Sequence, residues 1–334
     1  MKDRIRVIFL ASLSLALMLA LPAQADTAVQ ALGRDFEFPQ VIAGTPSKLS
    51  GFSGLQINSF VTSDGVRIAY WEAGNGRPLV FVPGWSSNGA DYIYVMYLLS
   101  RHYHVFVIDP RNQGLSQHVD YGTRIARFAA DLHEFVQHAR LSSADFCGHS
   151  MGSSILWSYI DLYGTKGIRK LCFIDEPVSI YGHSDWSEAE MVNAGSITHS
   201  AEEMVAAFTR PPVDTTPKPE DDLFVRFAKR DSPYFANAKD FAQAVIKNDP
   251  NALGLVLFDH AMNDWRDVLR HKIDRPTAIF SGEYSRNLPS QRWMQSVIRG
   301  AVLYDYSKAD QGDHFLAFKN PVKFTGDLRE FLER

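Results

Sequence analysis

One serine in this chain sits where a nucleophile would sit. Ser150 is the middle residue of Gly148-His149-Ser150-Met151-Gly152, a G-x-S-x-G sequence. Phe146 and Cys147 lead in as a short apolar strand, and Ile155, Leu156, Trp157, Tyr159 and Ile160 lead out as a helix. A serine at the apex of a strand–turn–helix is held in a strained backbone conformation, so its neighbours must be small. Gly148 and Gly152 meet that need. The same turn places the Met151 N–H at a helix N-terminus facing the serine oxygen, where it would stabilise an oxyanion. The hydroxyl also needs a base. Of the 11 histidines, His149 is directed away from Ser150 by the backbone. His102 and His104 form an H-x-H pair that has the look of a metal site. No carboxylate or third ligand stands at suitable spacing, so both read as structural.

The rest of the chain supplies elements that would carry such a turn. Residues 55–61 and 66–71 alternate apolar and polar around Ser63-Asp64-Gly65, which predicts a hairpin. Uninterrupted apolar runs at 78–82 and 104–108 are those of strands buried on both faces. Further strands are predicted at 171–174, 276–280 and 301–304. Ile125, Phe128, Ala129, Leu132, Phe135 and Val136 recur at a helical period, as do Val322, Phe324, Leu328, Phe331 and Leu332 near the C-terminus. Strands alternating with helices specify a parallel α/β sheet. Residues 178–272 hold no buried-strand run, and a structureless loop of that length is improbable. Helical patterns at 201–209, after Ser200, and at 238–247, with prolines 211, 212, 217 and 219 between them, predict a helical cap over the sheet's C-terminal edge.

From about Leu55 to Arg334 the chain resembles an α/β-hydrolase. The resemblance implies an eight-stranded, mostly parallel sheet flanked by helices, the nucleophile after the fifth strand, and the cap inserted between strands six and seven. It divides the chain into an arm at 26–54, a core at 55–177 and 273–334, and a cap at 178–272. It makes His314, in Gly312-Asp313-His314 between the last strand and last helix, the base. It makes Trp85, after Pro83-Gly84, the second oxyanion-hole donor beside Met151. Asp109-Pro110-Arg111-Asn112-Gln113-Gly114-Leu115-Ser116 matches the family's D-x-R-G-x-G-x-S turn, with Asn112 in place of the first glycine. This turn reads as a brace for the active-site loops. The acid departs from the pattern. Relatives place an aspartate where this chain has Ser285. Some α/β-hydrolases, the zearalenone-lactonase-like ones among them, carry the acid after strand six, and Glu176-Pro177 resembles that arrangement. Glu176, held extended by Pro177, is therefore the expected acid, with Asp175 and Glu283 as alternatives.

These residues together imply an acyl-enzyme mechanism on a carboxylic ester or lactone, with no metal or cofactor. An amide or C–C hydrolase, or a perhydrolase, would use the same triad; Trp85 and Asp264-Trp265-Arg266-Asp267-Val268-Leu269 resemble the haloperoxidase-like branch. The missing aspartate at Ser285 leaves open a non-catalytic ligand-binding module on the same scaffold. Trp85, Tyr181 and Trp186 are candidates to line a pocket for an apolar or aromatic substrate. Carboxylate-nucleophile chemistries of the fold are argued against by Ser150.

The first 25 residues read as a secretory signal: Lys2, Arg4 and Arg6, an apolar stretch to Leu21, then Ala23-Gln24-Ala25. Cleavage after Ala25 would give a secreted or periplasmic protein that leaves the membrane. It would also take the formal charge from −4 to −6, which argues against nucleic acid as a partner. Cys147 and Cys172 each lie in an apolar strand. A disulfide between neighbouring parallel strands is geometrically awkward, so two buried free thiols are expected.

Overall fold

Side chains alternate across a strand, so a strand apolar at every position needs a cover on each face. β4 (Arg77–Val82) shows the consequence. Leu79 and Phe81 point into one hydrophobic layer, and Val80 and Val82 into the other. The computed structural model describes residues 26–35, 37, 38, 41–208, 232, 234 and 250–334. Its sheet has nine strands in the order β1-β2-β3-β5-β4-β6-β7-β8-β9. Beyond β4 these are β1 (Asp26–Thr27), β2 (Gln56–Val61), β3 (Arg67–Ala73), β5 (Tyr103–Ile108), β6 (Ala144–His149), β7 (Ile168–Ile174), β8 (Thr277–Gly282) and β9 (Val302–Tyr306). The first three run antiparallel to their neighbours, and all pairings from β5 through β9 are parallel. The eight expected strands are present; the two-residue β1 from the N-terminal arm extends the edge, so the fifth and sixth strands of the sequence are β6 and β7.

Helices cover both faces. On one lie α2 (Ile93–Leu99) and the C-terminal α11 (Pro321–Glu333), whose Phe324, Leu328, Phe331 and Leu332 are buried at helical spacing. Burying each of these contributes about 1.5–3 kcal/mol. On the other lie α3 (Ile125–His138) and α4 (Met151–Tyr163), with Phe128, Phe135, Ile155 and Trp157 in the core. The helix α1 (Ala28–Leu32) belongs to the arm, and Thr27 and Gln30 close its capping box. In the cap interval lie α5 (Glu188–Ala194), α6 (Ala201–Phe208), α7 (Pro250–Ala261) and α8 (Arg266–His271). α6 falls on the helical pattern at 201–209; the pattern at 238–247 lies outside the described residues. α9 (Leu288–Val297) follows β8, and the single-turn α10 (Leu316–Lys319) precedes α11. Cys147 and Cys172 are register partners across β6 and β7, and both are buried free thiols. No described helix is long and apolar enough to cross a membrane.

The Asp109–Ser116 turn acts as the expected brace. Buried Asp109 accepts from the Gly89 N–H at 2.7 Å, the Leu115 N–H at 2.8 Å and the Trp71 indole at 3.1 Å. Burial outweighs these bonds and lifts its carboxyl to about 6. Arg111, fully buried, forks onto Asp131 with two 2.7 Å bonds. Asn112 stands where relatives have glycine because its φ is 66°, a left-handed conformation that asparagine tolerates better than other side chains. His104 bonds Glu72 at 2.7 Å and His102 accepts from Arg329 at 3.2 Å, so the H-x-H pair is spent on structural contacts.

Candidate active site

β6 ends at His149 and α4 begins at Met151, leaving Ser150 between them with φ 52° and ψ −133°. The strain is imposed by packing. A Cβ on Gly152 would lie 2.0 Å from the Val82 carbonyl oxygen, and one on Gly148 would lie 2.6 Å from the Ser153 nitrogen. Both partners are backbone atoms, so a side chain could enter only by moving β4 or α4. Gly152→Ala is accordingly expected to destabilise the fold by about 3 kcal/mol or more, read as a lowered midpoint in urea; an unchanged midpoint would show that the elbow is looser than this packing.

The imidazole of His314 faces the serine. Its Nε2 lies 3.0 Å from Ser150 Oγ and its Nδ1 lies 2.7 Å from Asp175 Oδ2. The order Ser150, Asp175, His314 along the chain is that of the fold's nucleophile, acid and base. The structure therefore corrects the expected acid. Glu176 does not reach His314: Ser154 Oγ donates to its Oε1 at 3.2 Å, and His260 Nε2 lies 3.0 Å from the same oxygen. Glu283, the other alternative, accepts from the Lys308 N–H at 3.0 Å. Asp175, carried as an alternative, holds the position instead.

The physical reason is local. Asp175 has φ 48°, a turn that swings its side chain toward the ends of β8 and β9, while Glu176 points to α4 and the cap. Asp175 is fully buried and is met by donors only. Ser281 Oγ donates to Oδ1, Ser285 Oγ to Oδ2 at 2.8 Å, and Asn287 Nδ2 to Oδ2 at 3.1 Å. Ser285, the residue in the family's aspartate position, thus supports a carboxylate that arrives from the neighbouring strand. Burial alone would raise the Asp175 carboxyl, but the hydrogen bond and charge of His314 and the serine hydroxyls hold it below the usual aspartate value. Burial would likewise lower His314, yet the bond to Asp175 and its negative charge leave the imidazole above its ordinary 6.5.

Met151 is the first residue of α4, so its N–H has no partner within the helix. A Cβ on Gly84 would lie 2.9 Å from Ser150 Cβ, so the Gly84–Trp85 backbone runs directly against the serine. Neither the Trp85 nor the Met151 N–H donates to a protein acceptor among the described residues. The Trp85 indole donates to the Leu253 carbonyl of α7 at 2.8 Å. His149 has a role that its sequence position did not reveal. Its Nε2 lies 2.7 Å from the His314 carbonyl oxygen, anchoring the loop that carries His314. Burial and the nearby His314 drop its imidazole to about 3, so it stays neutral and acts as the donor.

Ser150 and His314 open into a cavity of ≈ 830 Å³, whose described lining includes Trp85, Ile180, Ile197, Leu257 and Phe318. Tyr181 and Trp186 are not in that lining. Tyr181 packs on His183 at 4.9 Å, His183 on Trp186 at 4.6 Å, and the Arg266 guanidinium covers Trp186 at 3.7 Å. These two aromatics hold the cap together, and only Trp85 of the three expected pocket residues meets the cavity.

Strand order, elbow and cavity define an α/β-hydrolase. A family model described as the alpha/beta hydrolase fold matches residues 77–299, and the chain belongs to that family. Among individual proteins, it is 27% identical over 290 residues to the non-heme chloroperoxidase CPO-A1 of Kitasatospora aureofaciens, covering 82% of this chain and 98% of the relative. It is 34% identical over 117 residues to a non-heme haloperoxidase of Rhodococcus erythropolis, a match spanning 34% of this chain and only 43% of that protein. The structure superposes on an esterase from Exiguobacterium antarcticum with a TM-score of 0.67 at 21% identity, covering 83% of this chain and 99% of the esterase.

Proposed function

We propose that the chain is a serine hydrolase of carboxylic esters or lactones. The observation that carries this is the unbroken relay from Ser150 Oγ through His314 to Asp175, at 3.0 Å and 2.7 Å. Asp175 fixes the tautomer of His314 with its proton on Nδ1, leaving Nε2 to take the serine proton. Ser150 attacks the carbonyl, and the oxyanion sits between the Trp85 and Met151 amides. His314 protonates the leaving alcohol and then activates water to release the acid. The non-catalytic reading rested on the missing carboxylate at Ser285, and Asp175 in contact with His314 removes that support.

The test is turnover of p-nitrophenyl acetate and butyrate, beside covalent labelling by a fluorophosphonate. Hydrolysis with one label, mapped to Ser150, is expected; no turnover and no label would end this reading. A second reading, perhydrolysis, draws on the full-length similarity to a chloroperoxidase. There hydrogen peroxide replaces water on the acyl-enzyme, giving a peracid and the free serine. It requires acetate-dependent bromination of monochlorodimedone in the presence of peroxide and bromide.

We also propose that residues 1–25 are an export leader, on the basic start, apolar stretch and A-x-A motif. N-terminal sequencing of the protein recovered from the periplasm or medium should begin at Asp26; a start at Met1 would contradict the proposal.

A further inference from the structure

Glu176 and His260 form a buried acid–base pair that the relay does not use. Glu176 follows Asp175 at the exit of β7, and His260 comes from α7 in the cap. They are 1% and 4% exposed, their Oε1 and Nε2 atoms lie 3.0 Å apart, and both line the cavity that holds Ser150.

The protein leaves this pair short of partners. An ionised carboxylate offers about four lone-pair sites. Among the described residues, both contacts to the Glu176 carboxylate fall on Oε1, from Ser154 Oγ at 3.2 Å and His260 Nε2 at 3.0 Å, and none donates to Oε2. His260 Nδ1 is buried without a hydrogen-bond partner. Buried polar groups are normally satisfied, and replacing a buried ion pair by packed apolar residues commonly costs nothing. A carboxylate and an imidazole side by side on the wall of a largely apolar cavity present an acceptor next to a donor. An alcohol hydroxyl is both, and it complements the pair at one atom. Ser154 lies one turn of α4 beyond Ser150, so the pair sits beside the nucleophile on the α4 side. The charge of Glu176 also reaches His314, where it favours the imidazolium.

We propose that Glu176 and His260 bind a hydroxyl group of the substrate, which makes this enzyme selective for hydroxyl-bearing esters or lactones over plain alkyl ones. This rests on the serine-hydrolase reading above. A mere latch between core and cap would affect all substrates alike.

The experiment measures binding to the Ser150→Ala chain, which needs no turnover, for two matched pairs. These are phenyl 3-hydroxybutyrate against phenyl butyrate, and 2-hydroxyethyl benzoate against ethyl benzoate. The first pair carries the hydroxyl on the acyl side and the second on the alcohol side. In at least one pair the hydroxylated member is expected to bind about tenfold more tightly, the scale of one hydrogen bond to a charged group. That ratio should fall to near one when Glu176→Met or His260→Phe is added. Equal binding within both pairs overturns the proposal before any further substitution is made, and so does a preference that survives both variants. Fluorophosphonate labelling of the unsubstituted chain is read separately. Its absence counts against the hydrolase reading, whereas labelling with no hydroxyl preference counts against this inference alone.

Discussion

Asp175→Asn is expected to lower kcat for p-nitrophenyl butyrate by about 10⁴-fold, the scale seen when a triad carboxylate becomes an amide. The amide is nearly isosteric, so the fold and the elbow stay in place, but it carries no charge to stabilise the imidazolium that forms at His314, and where its NH₂ faces Nδ1 it cannot accept the Nδ1–H bond. The imidazole then takes the wrong tautomer and presents N–H, not a lone pair, to Ser150. The loss should exceed that of Glu176→Gln on the same plain ester by a hundredfold or more. Comparable losses in the two variants would return the acid to Glu176.

The pH profile gives the same prediction a second readout. In the proposed mechanism neutral His314 is the base, and Asp175 holds its pKa above 6.5. Activity of the unsubstituted chain should therefore fall as the pH drops through a value above 6.5. In Asp175→Asn the residual activity should lose this limb to lower pH, because burial then acts without the opposing carboxylate. An acid limb that stays where it was would mean another group sets it.

Ser150→Ala is expected to remove about 10⁶-fold in kcat. With no hydroxyl there is no covalent intermediate, and what remains is the polarisation offered by the Trp85 and Met151 amides to a carbonyl attacked by water. Residues that act as one unit do not add. The double variant Ser150→Ala/Asp175→Asn should be no slower than Ser150→Ala alone, since the relay has no proton to move once the serine is gone. Additive losses in the double variant would show that Asp175 works independently of Ser150.

Much of this site could be read before the fold was known, and the boundary of legibility has physical causes. Ser150, His314, Trp85 and Met151 belong to short segments whose geometry is set within a few residues: an elbow, a loop before a helix, a strand end. The acid is different. Asp175 and Glu176 are neighbours, and one backbone angle, the positive φ at Asp175, decides which of them faces His314. A signal did exist. Ser281, Ser285 and Asn287 put three donors at the β8 exit, as a socket for a carboxylate would, and the one carboxylate of that stretch, Glu283, is turned to the Lys308 N–H instead. The pairing of Glu176 with His260 crosses from core to cap and left no local trace. Tyr181 and Trp186 looked like pocket residues by type alone, and their contacts with His183 and Arg266 could be found only in three dimensions.

The indole of Trp85 donates to the carbonyl of Leu253, so the residue proposed to supply an oxyanion donor is moored to α7. On the proposed mechanism, specificity and rate enhancement are then not separately adjustable. Exchanging the lid of such a scaffold as a cassette would be meant to change what enters while the machinery beneath stays the same. Here a transplanted lid would also have to offer a carbonyl at the position of Leu253, or the preorganisation of the catalytic floor would leave with the lid it replaced.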